Sequence, residues 1–233
     1  MTPAELVYGT HAVREALRGR REVRQVWCTA RAGEASPWLP DSARVERAER
    51  LEQLAGSPDH QGVVAEVAPY SYADPDELLA RENALLVALD EVTDPHNLGA
   101  VARVAEGAGA DGLLTTRRRS AAVTPAVARA SAGAIEHLLV AQVENLADTL
   151  IRARRPGLWS YGAAADADQA YDAADYRDGT VFVLGAEGRG LRPRVLRSCD
   201  AAVAIPMAGR IESLNVSTAA AVLLFEAARQ RRG

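Results

Sequence analysis

The stretch IPMAGRIESLNVS, residues 205–217, decides the fold, because it ends an apolar run and then places glycine and polar residues where a buried strand should stop. Two upstream stretches have the same arrangement: DEVTDPHNLGAVAR at 90–103 and VLGAEGRGL at 183–191. In open α/β sheets, ligands bind beyond the carboxyl ends of the strands. The three stretches therefore predict one composite site at one edge of a sheet.

The segments around these stretches alternate between strand-like and helix-like patterns. Strands are predicted over 85–89, 112–115, 137–140, 158–161, 180–184 and 201–205, and helices over 98–108, 125–132, 146–154, 193–198 and 215–230. Continuous apolar strands that alternate with helices are typical of a parallel sheet covered on both faces. The predicted fold class of this part is therefore α/β with a mostly parallel sheet.

The amino-terminal part predicts a smaller α/β unit. Helices are predicted over 11–17 and 48–54, and strands over 23–29 and 63–67. Thr10 is expected to cap the first helix and Gly56 to end the second. The Pro, Ser and Asp content after residue 68 indicates a linker, and a short helix is predicted over 77–80. The predicted domains are 1–68, a linker at 69–82, and 83–233.

Composition limits the class of protein. The 233 residues are 48% hydrophobic, which is enough to bury a core in one large domain or two small ones. No apolar run approaches the roughly 20 residues of a membrane helix, and the first residues lack the apolar core of a signal peptide. Cys28 and Cys199 lack metal-ligand spacing. They are expected to be reduced, buried thiols of a cytoplasmic protein, and the sequence leaves a pairing between them open.

The charge of the chain does not by itself decide whether the protein binds nucleic acid. The net charge of −4 differs from the basic balance common in nucleic-acid binders, but net charge does not describe local charge. All 27 basic residues are arginine, which binds phosphate through two parallel hydrogen bonds. Arginines cluster at 18–24, 117–119 and 152–155. For the first two clusters, RNA contact and an ordinary solvated face are equally supported; the third is expected at a helix end.

Several other kinds of site are disfavoured. The glycines at 185, 188 and 190 have the wrong spacing for dinucleotide binding, and no lysine is available for a P-loop. The four histidines are scattered, so no metal site is expected. The glycines instead favour a loop whose backbone closely approaches a flat ligand.

In this order, the three stretches resemble the signature motifs of the SpoU (TrmH) family of RNA ribose 2'-O-methyltransferases, which use S-adenosylmethionine as methyl donor. YGTHAVREAL at 8–17 and HQGVVAEV at 60–67 are similar to its RlmB-like branch, which carries a small amino-terminal RNA-binding domain. The resemblance covers nearly the whole chain. It also implies a trefoil knot and a homodimer through the carboxyl-terminal domain; the pattern alone would exclude the knot, because knots are rare.

The resemblance maps donor binding onto Gly185, Ile205, Met207 and Leu214. Backbone groups of these loops can hydrogen-bond adenine, while the three larger side chains can cover its faces. Plain core packing is the alternative for Ile205 and Leu214, but their place inside the last motif favours the donor site.

The same resemblance points to five polar residues for catalysis: Asn97, Arg103, Glu187, Ser213 and Asn215. The family places the matching arginine beside the reacting 2'-hydroxyl, yet the pKa of arginine, above about 12, makes it a poor base. We therefore expect Arg103 to position phosphate or hydroxyl, with Asn97 near the same helix start.

The other three residues have their own expected contacts. Glu187 is expected to orient Arg103 or to bind Arg189. Ser213 and Asn215 are expected to hydrogen-bond the donor or the ribose, and Asn215 is also suited to cap the last helix.

The sequence thus predicts a metal-independent, S-adenosylmethionine-dependent ribose 2'-O-methyltransferase acting on structured RNA, with a guanosine of 23S ribosomal RNA as the first candidate. A transfer RNA methylase and an antibiotic-resistance ribosomal RNA methylase are alternatives of the same class. A non-catalytic ribosome-assembly protein is the alternative of another class, and the five polar residues count against it.

Overall fold

The computed structural model describes residues 4–232, and its contacts divide the chain into two compact units. The first unit runs to Ser71 and includes Val123–His137. The second comprises Tyr72–Ala122 and the chain from Leu138 onward.

The strands of residues 4–232 are β1 (Glu5–Tyr8), β2 (Val23–Cys28), β3 (Arg44–Val45), β4 (Val63–Val67), β5 (Leu85–Asp90), β6 (Gly112–Thr116), β7 (Leu139–Val143), β8 (Leu158–Ala163), β9 (Gly179–Gly185) and β10 (Ala201–Val203). The helices are α1 (Thr10–Arg18), α2 (Ala30–Ala35), α3 (Ala48–Ala55), α4 (Pro75–Leu79), α5 (Pro95–Gly107), α6 (Pro125–Ala130), α7 (Leu146–Ala153), α8 (Pro193–Ser198) and α9 (Val216–Arg232). Short 3₁₀ turns lie at Pro58–His60, Ala134–Glu136 and Tyr171–Ala173.

The first unit is built on a four-stranded sheet in the order β1-β4-β2-β3. β4 is antiparallel to both β1 and β2, and α1 packs its buried Ala12, Val13 and Ala16 on this sheet. The expected cap of α1 is wrong: Gly9 is the cap residue, and Thr10 is already helical. The backbone amide of Thr10 is satisfied instead by Oε1 of Gln61 at 3.0 Å. Gly56 ends α3 in the left-handed conformation, as predicted.

The segment Val123–His137 joins the first unit through charged side chains as well as through packing of α6 on β1. Glu136 is buried and receives two hydrogen bonds from the guanidinium of Arg21, one of them at 2.8 Å from Nε. Nε2 of His137 lies 2.9 Å from a carboxylate oxygen of Glu15. The domains expected at 1–68 and 83–233 stay a prediction; the contacts add 123–137 to the first compact unit.

The second unit contains a fully parallel six-stranded sheet in the order β10-β8-β9-β5-β6-β7. Its central strand β5 is buried along its whole length, so the α/β class with a mostly parallel sheet is confirmed. β5 leads through α5 to β6 on one side, whereas the neighbouring β9 leads through α8 towards β10 on the other. The carboxyl ends of β5 and β9 thus form a topological switch point, where ligands bind in such sheets. The trefoil knot stays a prediction.

Several element bounds differ from the sequence expectation for local reasons. β7 begins at Leu139 rather than at residue 137, because the preceding residues form a 3₁₀ turn. β10 ends at Val203 rather than at 205, because Ala204 exchanges backbone hydrogen bonds with Gln169 and Tyr171. α5 begins three residues early, where Asp94 caps it by accepting from the amide of His96 at 2.8 Å. Three short elements, β1, α2 and β3, were not predicted.

Within residues 4–232, no helix has the length and apolar character needed to cross a membrane. The same residues contain no group of three or more His, Cys, Asp or Glu side chains arranged to hold a metal ion.

Candidate active site

The candidate site lies in the second unit, where the first two motifs leave adjacent strands. Asp90 at the end of β5 is paired in register with Gly185 at the end of β9. The chain after β5 enters α5, and the chain after β9 turns back in a tight loop over 186–190. The predicted meeting of these two motifs at one sheet edge is therefore confirmed by the strand order.

The glycine loop is tight because its backbone doubles back on itself. The amide of Gly190 donates to the carbonyl of Ala186 at 2.9 Å. A Cβ on Gly185 would lie 2.0 Å from the carbonyl carbon of Gly190. This is too close for any side chain, so the position requires glycine. Gly190 itself has φ +65°, which a larger residue adopts only with strain. The glycine spacing thus follows from backbone packing at the strand end.

Polar side chains from all three motifs meet at Asn215. Its Nδ2 donates to Oδ1 of Asn97 at 3.0 Å and also to Oε1 of Glu187. Its Oδ1 accepts from the backbone amide of Ser217 at 2.8 Å and from the Ser217 hydroxyl at 2.6 Å. Asn215 therefore caps α9 with one end of its amide and joins the three motifs with the other.

A cavity of about 470 Å³ opens beside this junction. Its lining includes Gly185, Ile205, Met207 and Leu214, together with Glu187 and Ser213. Its volume lies within the range of small-molecule sites. Gly185, Ile205, Met207 and Leu214 are the positions that the resemblance assigns to the donor, and the fold brings all of them to one cavity.

The cavity lining carries more negative than positive side chains. Asp166, Glu187 and Glu212 contribute carboxylates, and Arg189 contributes a guanidinium. Apolar residues such as Leu184 and Val203 contribute to the walls between them. This combination suits a flat ligand that carries a cationic centre.

Arg103 lies apart from the junction of Asn97, Glu187 and Asn215. It is exposed on α5 and makes no hydrogen bond or ion pair with any residue in 4–232. Six residues separate it from Asn97, which places the two side chains roughly 120° apart around an α-helix. Glu187 pairs with Asn215 rather than with Arg103 or Arg189, so the expected orientation of Arg103 by Glu187 is not observed.

Sequence reasoning missed one ion pair at the site, between a buried aspartate and a partly exposed arginine. The side chain of Asp90 has no exposed surface, and it accepts from Nη2 of Arg192 at 2.6 Å and from Nε at 2.9 Å. The backbone amide of Arg192 donates to the other carboxylate oxygen at 3.0 Å. These hydrogen bonds raise the pKa of Arg192, against the opposing effect of burial. Because Arg192 follows the cavity residues Gly190 and Leu191, Asp90 fixes the end of the glycine loop. The sequence feature that could have pointed to this pair is Asp90 itself, an acid at the end of the apolar run of β5.

The predicted arginine clusters differ in how many of their guanidiniums already bind acceptors within the protein. In the first, Arg20 donates to the carbonyl of His137 and Arg21 is buried against Glu136. In the third, Arg154 pairs with Asp200 at 3.1 Å. In the second, Arg117 and Arg119 pair with glutamates, whereas the guanidinium of the exposed Arg118 has no partner within 4–232.

Models of two protein families match the chain. The model described as SpoU rRNA Methylase family matches residues 84–225. The model described as RNA 2'-O ribose methyltransferase substrate binding matches residues 6–73. Together they cover most of both compact units.

Curated relatives agree with these matches. The chain is 40% identical over 247 residues to the 23S rRNA (guanosine-2'-O-)-methyltransferase RlmB of Pseudomonas putida, covering 100% of this chain and 99% of that protein. It is 38% identical over 244 residues to an uncharacterized tRNA/rRNA methyltransferase of Synechocystis, of which it spans 63%.

Solved structures show the same fold. The SpoU methyltransferase AviRb from Streptomyces viridochromogenes, in complex with AdoMet, superposes with a TM-score of 0.82 at 28% identity, covering 99% of this chain and 91% of AviRb. An AdoMet-bound rRNA methyltransferase from Sinorhizobium meliloti gives a TM-score of 0.80 at 25% identity, covering 97% of this chain and 87% of that one.

Proposed function

The chain belongs to the SpoU rRNA methylase family, and on that premise we propose that it transfers a methyl group from S-adenosylmethionine to a ribose 2'-hydroxyl of structured RNA. One observation carries the proposal. Asn215 donates hydrogen bonds to Asn97 and to Glu187, so one residue from each motif meets beside the cavity that the predicted donor positions line. Asn97 and Glu187 lie 118 and 28 positions from Asn215 in the sequence, and the fold brings both to it.

The cavity suits the donor chemically. The donor supplies a methyl group on a positively charged sulfur, and the carboxylates of Asp166, Glu187 and Glu212 in the lining favour a cation. The side chains of Ile205 and Leu214 offer apolar surface for the adenine. Relatives of the same fold were solved with AdoMet bound, which supports this ligand.

The chemistry needs alignment more than activation. In the transfer, the ribose 2'-oxygen forms a bond to the methyl carbon as the carbon–sulfur bond breaks, and the hydroxyl proton passes to solvent. The sulfur leaves as a neutral sulfide, so the methyl group is already reactive and positioning can supply much of the rate. Exposed and without a protein partner, Arg103 is free to hold the phosphate or hydroxyl of the target nucleotide.

The junction around Asn215 has a positioning role in this proposal. By joining Asn97 to Glu187, Asn215 fixes the start of α5, which carries Arg103, relative to the cavity. Ser213 lines the cavity two residues earlier and is placed to hydrogen-bond the donor or the ribose. The chain's own residues thus hold the two reactants in register.

The RNA target that we propose is a guanosine of 23S ribosomal RNA. RlmB proteins carrying that name are 40–41% identical to this chain over nearly their full length. The first unit, which matches the substrate-binding model, supplies RNA affinity in this proposal. We further propose that the protein acts in the cytoplasm as a homodimer formed through the second unit, where Trp159 and Phe225 are each about half exposed. Light scattering on the purified protein tests the dimer.

Calorimetry tests the donor assignment. Purified protein is titrated with S-adenosylmethionine, with its demethylated product and with a nicotinamide dinucleotide. The proposal expects binding of the first two and none of the third. Binding of the dinucleotide without binding of the methyl donor would overturn it.

A further inference from the structure

Most arginines of the second unit are already bound to protein acceptors. Arg81, Arg177 and Arg194 pair with aspartates, and Arg155 and Arg231 donate to backbone carbonyls. A few have a guanidinium that makes no hydrogen bond or ion pair with any residue in 4–232: Arg103, Arg118, Arg189, Arg197 and Arg210. Because arginine carries its charge at every physiological pH, these guanidiniums are available for an outside anion.

Three of these arginines follow neighbouring strands. Arg189 lies in the loop after β9, Arg103 lies on the helix after β5, and Arg118 lies two residues beyond the end of β6. The strands β9, β5 and β6 are consecutive in the sheet, so their carboxyl ends span roughly 10 Å. The loops that carry Arg189 and Arg118 therefore lie on either side of the end of β5, from which the chain enters the helix of Arg103.

A fourth free arginine belongs to the same edge, and a fifth does not. Arg210 lies in the segment between β10 and α9, whose last residue, Asn215, is hydrogen-bonded to Asn97 after β5. Arg197 lies near the end of α8, which runs back towards the start of β10 at Ala201. Arg197 is thus a free arginine near the opposite edge of the sheet.

None of the acids at this edge forms an ion pair with these arginines within residues 4–232, and three of them already have other partners. Glu91 binds Arg119 at 3.1 Å and Arg192 at 3.0 Å. Asp94 caps α5, and Glu187 accepts from Asn215. Asp166 and Glu212 line the cavity instead. Away from the acidic cavity lining, the guanidiniums of Arg103, Arg118 and Arg210 therefore carry charges that no ion pair within residues 4–232 offsets, although the whole chain has a net charge of −4.

We propose that Arg118, Arg189 and Arg210 bind RNA phosphates that flank the target nucleotide, while Arg103 serves the nucleotide itself. This inference rests on the proposed function and adds the substrate contacts of its site. Phosphate contacts of this kind fix the register of a nucleic acid without reading its sequence. They would place one ribose beside the cavity and leave recognition of the base to other contacts.

The test compares Arg118→Ala and Arg210→Ala with the matched control Arg197→Ala. Arg189 is left out because it also lines the cavity, so its loss would disturb donor binding. Binding of deproteinised 23S ribosomal RNA is measured over a range of salt concentrations, and the donor is titrated on the same preparations. Methyl transfer is measured over a range of RNA concentrations.

Each edge variant is expected to weaken RNA binding by roughly tenfold, the effect of one charged hydrogen bond. The slope of log affinity against log salt should fall by about 1 for each lost contact. The rate at saturating RNA and the donor affinity should stay within about twofold of wild type. Arg197→Ala should match wild type throughout.

Edge variants that match Arg197→Ala in affinity and salt slope would overturn the inference while wild-type activity stands. A wild-type protein that neither binds the donor nor methylates RNA would instead overturn the proposed function, and the inference with it.

Discussion

Arginine has opposite uses in the two units. In the first unit, the side chain of Arg21 is 7% exposed, and its guanidinium forms ion pairs with Glu136 and Glu5. The pair with Glu136 ties the segment 123–137 to the rest of the unit. In the second unit, the guanidiniums of Arg103 on α5 and of Arg118 just beyond β6 are exposed and have no partner within 4–232. A buried, paired arginine serves the fold, whereas an exposed, unpaired one is available to a ligand. The position of an arginine in a sequence cluster does not separate these roles, because Arg21 and Arg118 both come from clusters.

The largest expected effect tests the structural role of the buried arginine in the first unit. Replacing Arg21 with Ala leaves the buried carboxylate of Glu136 without its cation, which should lower the free energy of unfolding of the first unit by about 3–5 kcal/mol. Denaturant unfolding followed by circular dichroism measures the loss. The control is Arg129→Ala, which removes an exposed pair with Asp59 and should cost about 1 kcal/mol or less. Equal losses for the two variants would refute the structural role of Arg21.

The next effect tests the functional side. Replacing Arg103 with Ala should reduce methyl transfer by at least about 100-fold, which corresponds to roughly 2.7 kcal/mol of transition-state stabilisation. Donor affinity should change by no more than a few-fold, because Arg103 does not line the cavity. Arg103→Lys should restore little activity if the planar guanidinium positions the RNA. Single-turnover rates and donor titrations on one preparation decide the matter, and a near-normal rate would make Arg103 an ordinary surface arginine.

A smaller effect concerns the glycine loop. In Gly185→Ala, the new methyl group would meet the backbone of Gly190, so the loop must shift and the donor affinity should fall by about tenfold, from a typical overpacking cost of 1–3 kcal/mol. Gly107→Ala is the control, because a Cβ there meets nothing within 4 Å. Calorimetric titration of both variants with the donor is the measurement. Unchanged affinity in Gly185→Ala would show that the loop does not shape the pocket.

The smallest expected change is in stability, and it separates the two roles of Asn215. Asn215→Asp keeps an oxygen that can accept from Ser217. The free energy of unfolding, measured by thermal denaturation, should therefore change by no more than about 0.5 kcal/mol. The same change removes the amide donor to Asn97 and Glu187 and brings a second carboxylate beside Glu187. Methyl transfer should therefore fall by about tenfold or more while the helix cap survives. If activity were kept in this variant, the junction would be a cap and nothing more.

The sequence was sufficient for the parallel sheet, and the positions that it predicts for the donor line one cavity. Strands such as β5 are continuous apolar runs, and a run of this kind reports burial on both faces directly. The resemblance assigned Gly185 and Leu214 to the donor, and the two residues share a cavity because the motifs follow strands whose carboxyl ends lie at one edge of the sheet.

Contacts between distant residues could not be predicted from local patterns. The Asp90–Arg192 pair joins residues 102 positions apart, and the Arg21–Glu136 pair joins residues 115 apart. The expected cap by Thr10 failed for the same reason, because Gln61, 51 residues away, satisfies its amide.

The long-range pair of Arg21 and Glu136 also affects how a truncated protein should be interpreted. A fragment that begins after Glu82 lacks Arg21 and leaves the carboxylate of Glu136 without its cation. Loss of RNA binding in such a fragment would therefore not isolate the role of the first unit.

The central claim is tested most directly by methyl transfer in vitro. Wild-type protein is incubated with 23S ribosomal RNA and S-adenosylmethionine labelled in its methyl group, and the RNA is then digested to nucleosides and separated. We predict that the label is recovered in a single 2'-O-methylated nucleoside, 2'-O-methylguanosine. Label in a methylated base, or no incorporation by a protein that binds the donor, would contradict the account.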